Sequence, residues 1–250
     1  MVTIDHSFGY KHGAIVNHPL ILIQGQLRNQ IQSGIEVTNQ TSGETINWPV
    51  VSSKFKALIL LKPGINMIIL RHGFYSKEVN YTFILRQSPY IVQPLYIITQ
   101  DDTGCFQAPP DVDNSVKSAC DRISLNTALL QTFTAMNMKT HNLGAHTFQL
   151  PLDSVTGLPR CTIFKSKYTR QHIYAMTERD VWKNLAQEII ESDVVKNTRY
   201  CKFLAFLSCT RYNGENWTSS WRHKDMIGAT QGHIALGEFG DIMGLRNSQQ

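Results

Sequence analysis

The sequence is poor in charge and has no segment that would lead a chain into or through a membrane. Charged residues make up 17% of the 250 and hydrophobic residues 42%. That balance excludes the disordered class, in which too little apolar surface is buried to offset chain entropy. Lys and Arg outnumber Asp and Glu by 24 to 19, a net charge of +5, and they are scattered along the chain. A nucleic-acid surface needs cations gathered on one face, with aromatics between them where single strands are held. No nucleic-acid partner is expected. The longest apolar runs, Ala57–Leu61 and Met67–Leu70, fall far short of the ~20 residues that span a bilayer. Residues Met1–Tyr10 show no basic n-region followed by an apolar h-region, so neither membrane nor export is expected. Cysteine is sparse: Cys105, Cys120, Cys161, Cys201 and Cys209 are odd in number, widely spaced and without a C-x-x-C. Reduced thiols and a cytoplasmic location fit that usage better than a disulfide frame.

What the chain does contain is β-forming sequence up to about residue 100. Leu20–Ile23, Gly34–Thr38, Phe55–Leu61, Ile65–Arg71, Val79–Leu85 and Leu95–Thr99 are rich in Ile, Val, Phe, Tyr and Leu and are bounded by Gly, Pro, Asn or Ser, the signature of short strands. Lys62-Pro-Gly-Ile65 predicts a turn, since Pro fixes φ and Gly accepts a positive φ; a hairpin is expected across it. Closely spaced strands with no helical period between them predict a β-sandwich module over residues 1–100.

A break in composition follows at Gln100–Asn114, with Asp101-Asp102, Gly104 and Pro109-Pro110, and the second domain is placed at 101–250. After Asp113 or Asn114 as cap, Val116, Ala119, Cys120, Ile123, Leu130, Phe133 and Met136 recur at three- and four-residue steps, predicting a helix that ends before His141. Thr147–Leu150 reads as a strand stopped by Pro151. Thr177-Glu-Arg-Asp180 is close to a capping box, and Val181, Trp182, Leu185, Ala186, Ile189 and Ile190 make one apolar stripe behind it. Lys202–Cys209 is almost continuously apolar, as a strand covered on both faces would be. Gly232–Leu236 predicts a further strand.

Several blocks resemble one family. They are Phe55–Gly64, Leu129–Ala135, His146–Leu150, Phe203–Tyr212 and Gly228–Gly237, in order over roughly residues 10 to 238. They resemble the zinc metallopeptidases of fungi and animals that place a β-sandwich ahead of a zincin-like domain. The blocks mark a family and not an activity, since none is a catalytic signature. The resemblance implies an α+β chain: an N-terminal β-sandwich followed by an incomplete zincin-like α/β domain, with zinc as cofactor of a complete member and a peptide or protein as substrate. A zincin also carries H-E-x-x-H on a helix. That spacing puts two imidazoles on one helix face around a single tetrahedral ion, with Glu as base for the bound water.

The nine histidines, His6, His12, His18, His72, His141, His146, His172, His223 and His233, never precede Glu, and no two are four apart. The inverted H-x-x-E-H is missing as well. The expectation is therefore the N-terminal portion of a metallopeptidase, with no catalytic residues and no metal ligands of its own, cut short as a fragment, splice variant or gene-model error. The alternative is a non-catalytic binding module built on the sandwich. His141 and His146, even with His172 or Asp153, read as loop polar residues. His233, Ile234, Ala235 and Leu236 are predicted to form an edge strand that binds extended peptide through its backbone. Cys209 reads as a buried thiol. Ser208 lacks a G-x-S-x-G turn, and Gly228–Gly232 has no Lys after it to make a phosphate loop. Trp217 and Trp221 read as anchors for a polar loop, and Glu188 and Glu191 as solvated carboxylates.

Overall fold

A computed structural model describes residues 2–5, 10–27, 33–86, 88–196, 198–212, 217–218, 228–231 and 234–238. For 2–5 and for residues beyond 210 the description covers backbone path and pairing. The chain is of mixed α+β class, dominated by strands, and forms two compact units. One comprises Met1–Ser88 and Ala128–Leu158, the other Pro89–Thr127 and Pro159–Gln250.

The first unit holds β1 (Val2–Asp5), β2 (Ile15–Val16), β3 (Leu20–Leu27), β4 (Gly34–Asn39), β5 (Glu44–Val51), β6 (Lys54–Leu60), β7 (Gly64–His72) and β8 (Tyr75–Phe83). They pair in the order β1-β3-β6-β5-β4-β7-β8-β2. β5 makes the sheet continuous: Glu44–Pro49 pair with β4, and Val50 and Val51 then pair with β6. Alternation is strict on β4, β6 and β7, whose inward residues Ile35, Val37, Phe55, Ala57, Ile59, Ile68 and Leu70 share one core with Ile21, Tyr81 and Phe83. β5 lies outside the strands expected from sequence, although Ile46, Trp48 and Val50 alternate with Thr45, Asn47 and Pro49; of these only Val50 is buried.

The turn at Lys62-Pro-Gly64 is present, but it is not a hairpin. β6 pairs with β3 and β5, while β7 pairs with β4 and β8. A buried amide holds the turn. Asn66 accepts from the Lys62 N–H at 2.8 Å and from Asn39 Nδ2 at 3.2 Å, and donates to the Lys62 carbonyl at 2.7 Å and the Gly64 carbonyl at 3.0 Å. These bonds occupy turn groups that a β6–β7 ladder would have used. Asn66→Ala should orphan them in a site with no solvent access and cost about 2–3 kcal/mol, read as a lower urea midpoint. An unchanged midpoint would show that the turn does not depend on the amide.

The second unit is built on β9 (Ile91–Ile98), β10 (Thr162–Lys165), β11 (Cys201–Leu207), β14 (Gly228–Gln231) and β15 (Ile234–Glu238), in the order β10-β9-β11-β15-β14. The first four strands of that order are parallel, and β14 runs antiparallel to β15. The segment expected as the sixth sandwich strand, Leu95–Thr99, instead lies in the middle of this sheet as part of β9. Gln93–Ile98 are all buried, as in a parallel strand covered on both faces. Leu95 and Ile97 join the core formed with α2 (Arg170–Ala175) and α3 (Glu178–Glu191), while Tyr96 and Ile98 pack with Ala119 and Ile123 of α1 (Val116–Thr140). β12 (Arg211–Tyr212) and β13 (Trp217–Thr218) make a small separate pair.

α3 starts as its sequence predicts, with the Thr177 hydroxyl capping the Asp180 N–H and Val181, Trp182, Leu185 and Ile189 buried. α1 has the predicted span, and Val116, Ala119, Cys120 and Ile123 of its predicted face pack into the core, but its second half presents a different face. Leu130 and Phe133 are 46% and 64% exposed, whereas Thr127, Gln131 and Thr132 are buried. Their donors are bonded, which offsets much of the cost of burial, although Gln131 Oε1 is buried without a partner: Thr132 donates to the Leu20 carbonyl at 2.6 Å, and Gln131 Nε2 donates to the Phe148 carbonyl at 2.8 Å. This last bond, with Thr147 donating to the Gln131 carbonyl, also explains why Thr147–Leu150 forms no strand. The Phe148 carbonyl is taken by a helix side chain and the Thr147 hydroxyl by a helix carbonyl, in place of a ladder.

Candidate functional site

Parallel strands deliver their carboxyl ends to one side of a sheet, where ligand crevices of open α/β folds lie. Here that side collects Thr99–Asp102 after β9, Ser166–Thr169 after β10 and Ser208–Thr210 after β11. Asp101 accepts from the Arg170 backbone N–H at 2.8 Å and faces its Nε at 3.4 Å. Those hydrogen bonds, the backbone one foremost, hold its carboxyl below the ordinary range. Asp102 accepts from the Gly104 N–H at 3.2 Å and from the Ser208 hydroxyl at 3.3 Å. Glu188, read from sequence as solvated, reaches back from α3 to take the Ser166 hydroxyl at 2.7 Å and the Lys167 N–H at 2.5 Å. The three carboxylates are acceptors for loop N–H and hydroxyl groups, so their chemistry is that of clamps on the strand-end loops. Periodicity could not reveal them, since apart from the local Asp102–Gly104 bond each partner lies on a different segment.

The other feature of this sheet is its end. The residues expected to form an edge strand are not at the edge: Ile234, Ala235 and Leu236 lie in β15, with Phe203, Leu204 and Ala205 of β11 on one side and Gln231, Thr230 and Ala229 of β14 on the other. His233 lies outside the described residues. Among those residues the terminal strand is β14. Antiparallel pairing with β15 places Gly228–Gln231 outermost among the described strands. Its outward N–H and C=O groups form a template for one more extended chain.

The described histidines do not converge. His18 is fully buried and its pKa is pushed down to about 4 by burial, with Nε2 3.4 Å from the Tyr10 hydroxyl. His72 Nδ1 lies 3.0 Å from the Gly34 carbonyl, and His12 Nδ1 accepts from the Asn80 N–H at 3.2 Å. His172 faces its own N-cap, Thr169, at 2.8 Å. His141 and His146 are exposed, and Asp153 caps its own turn through the Val155 and Thr156 N–H groups. His6 and His223 lie outside the described residues, as does Trp221; Trp217 lies in β13. Among the described residues no three His, Cys, Asp or Glu side chains are grouped to hold a metal ion. The donor set described does not fit a zinc centre. Cys209 is buried, and its carbonyl accepts the Tyr174 hydroxyl. Among the described residues no helix is long and apolar enough to cross a membrane.

The first unit has a polar cavity of about 670 Å³ lined by Ser33, Gly34, Glu36, Asn47, Arg71 and Gly73. Glu36 and Arg71 are cross-strand partners 3.5 Å apart. A Cβ at Gly34 would lie 2.5 Å from Asn47 Oδ1, so a larger residue there would displace the Asn47 side chain.

These features define an α+β protein in which a strand-rich unit accompanies a largely parallel sheet with an antiparallel edge. The chain belongs to the family described as a putative peptidase family, Metallopep, whose match runs over residues 6–245. No curated protein matches it. Among solved structures, a catalytically inactive OgpA from Akkermansia muciniphila, in complex with an O-glycopeptide substrate, is similar at 20% identity and a TM-score of 0.36, over 54% of this chain and 34% of that one. The chain thus spans about a third of the length of OgpA. An amylomaltase from Corynebacterium glutamicum is similar at 10% identity and a TM-score of 0.23, over 36% of this chain and 16% of that one. A Dpr2 Ig1-Ig2 structure in complex with DIP-Theta Ig1-Ig3 is similar at 11% identity and a TM-score of 0.25, over 39% of this chain and 55% of that one. Superpositions this weak carry no argument about function.

Proposed function

We propose that these residues are the substrate-binding framework of a zinc-dependent metallopeptidase, a β-sandwich followed by part of a zincin-like domain, that engages an extended peptide along β14. The observation that carries the reading is the antiparallel edge strand Gly228–Gln231 on a parallel sheet, in a chain that matches a peptidase family along most of its length. Backbone pairing at such an edge accepts many sequences, because main-chain hydrogen bonds supply the affinity. Cleavage needs a zinc site, and the 250 residues contain no H-E-x-x-H. Peptide binding without turnover is therefore expected of them, in the cytoplasm, with no zinc held stoichiometrically.

The test is fluorescence polarisation with a labelled, unstructured casein peptide. Successive residues of an edge strand point their N–H groups alternately in and out. One of Ala229→Pro and Thr230→Pro should therefore remove an outward donor and weaken binding at least about tenfold, the loss of roughly one hydrogen bond plus the ring clash. Equal binding by wild type and both variants would sink the edge-strand reading. EDTA-sensitive casein hydrolysis by the chain alone would sink the expectation that it is inactive. A second reading, a non-catalytic binding module, is favoured by the polar cavity at Glu36, Asn47 and Arg71; it gains if no peptide binds at β14.

A further inference from the structure

Two cysteines that sequence spacing treats as unrelated are brought together in the second unit. Cys120 lies on the first half of α1, and Cys161 immediately precedes β10. They are 41 positions apart in the chain, yet both pack against the cluster of Tyr96, Ile98, Phe106, Ala119 and Ile123, and their thiols share a hydrogen bond. Both are free and half-buried, so a small oxidant can reach them, whereas Cys201 and Cys209 are buried.

Their location along the chain gives the contact a consequence. The second unit is interrupted: the chain leaves it after Thr127, contributes Ala128–Leu158 to the first unit, and re-enters at Pro159. Cys120 stands just before the exit and Cys161 just after the return. We infer that Cys120 and Cys161 form a reversible disulfide when the protein meets a peroxide, closing the neck of this excursion covalently.

The two thiols are not equivalent. The hydrogen bond from Cys161 favours the Cys120 thiolate and lowers its pKa, while the same bond and burial raise that of Cys161. Cys120, the less buried of the two and so the more open to a peroxide, is the attacking sulfur and Cys161 the resolving one. The Cys120 thiolate attacks one peroxide oxygen; the O–O bond breaks, leaving Cys120 sulfenic acid and a hydroxide that takes up the released proton as water. The Cys161 sulfur then attacks the sulfenic sulfur, the S–O bond breaks, and a second water leaves with the Cys161 proton. Two thiols and one hydrogen peroxide become one disulfide and two waters. A dithiol reductant reverses the change by exchange.

The experiment treats the full chain with a modest excess of hydrogen peroxide, blocks remaining thiols with iodoacetamide and digests with trypsin without reductant. Cleavage after Lys117, Arg122, Arg160 and Lys165 releases Cys120 in peptide Ser118–Arg122 and Cys161 in peptide Cys161–Lys165. The expected product is these two peptides joined, lighter by two hydrogens than their sum, and separated again by dithiothreitol. Cys105→Ser should leave the linked pair intact, and Cys120→Ser should abolish it. Recovery of both peptides alkylated and unlinked would overturn the inference, as would a link from either cysteine to Cys105 or to a second chain. Because the wild-type map decides the matter, a poorly folding variant does not remove the test.

Discussion

Acidification from pH 7 to pH 4 should remove about 3 kcal/mol from the stability of the first unit through one side chain, His18. Burial with no solvent access holds its pKa at about 4, against 6.5 for an ordinary imidazole. The sign follows from which state binds the proton. Between these two values the unfolded chain is protonated and the folded one is not, so stability rises with pH. The contribution is fully present above about pH 6.5, falls as pH drops through the window and is exhausted below about 4. The neighbours bring no opposite charge: Tyr10 is itself raised to about 12 by burial, the Lys139 ammonium sits 5.0 Å from the Tyr10 ring, and Asn17 Oδ1, 3.4 Å from the His18 Nδ1, is a neutral acceptor. Urea unfolding of wild type and His18→Gln at pH 7 and pH 5 checks this. By pH 5 wild type should have lost about 2 kcal/mol that the variant does not lose. Parallel pH profiles would show that His18 is not the titrating group.

The largest single-site loss should come from Phe203→Ala. Phe203 is 1% exposed on β11, flanked by β9 and β15, and packs in the core with Leu95, Trp182, Leu185 and Ile189. Truncating a buried Phe removes its transfer free energy and leaves a cavity, together about 3–5 kcal/mol. In a chain of this size that lowers Tm by roughly 10 °C. Phe133→Ala is the control. The sequence places Phe133 on the apolar face of α1, but it is 64% exposed, so its loss should fall within about 0.5 kcal/mol. Calorimetry on both variants decides between the two pictures. Equal losses would mean that Phe133 is buried as its helical spacing implies.

That pair shows where pattern reading stops. Strands β3, β4, β6, β7 and β8 and helices α1 and α3 are legible because each answers to a local rule, period two or period 3.6 between Gly, Pro, Asn or Ser punctuation. The burial of Phe203 follows from an apolar run that needs no knowledge of its partners. The exposure of Phe133 does not follow from its spacing, because the face that α1 buries is set by the Thr132–Leu20 and Gln131–Phe148 bonds. The site was legible in part. Gly232–Leu236 is readable as a strand, but the pairing of Gly228–Gln231 outside it is recorded in no local pattern, so the strand expected at the edge lies one place inside it.

The sequence alone determined the α+β class, the membership in a peptidase family, the lack of H-E-x-x-H and the positions of the main strands and helices, since composition, motifs and period are properties of neighbouring residues. Tertiary structure decided that β6 and β7 do not pair, that β9 belongs to the parallel sheet, that Asp101, Asp102 and Glu188 clamp loops, and that Cys120 meets Cys161. Each of these joins segments far apart in the chain, and no local period records which distant groups will satisfy a buried hydrogen bond.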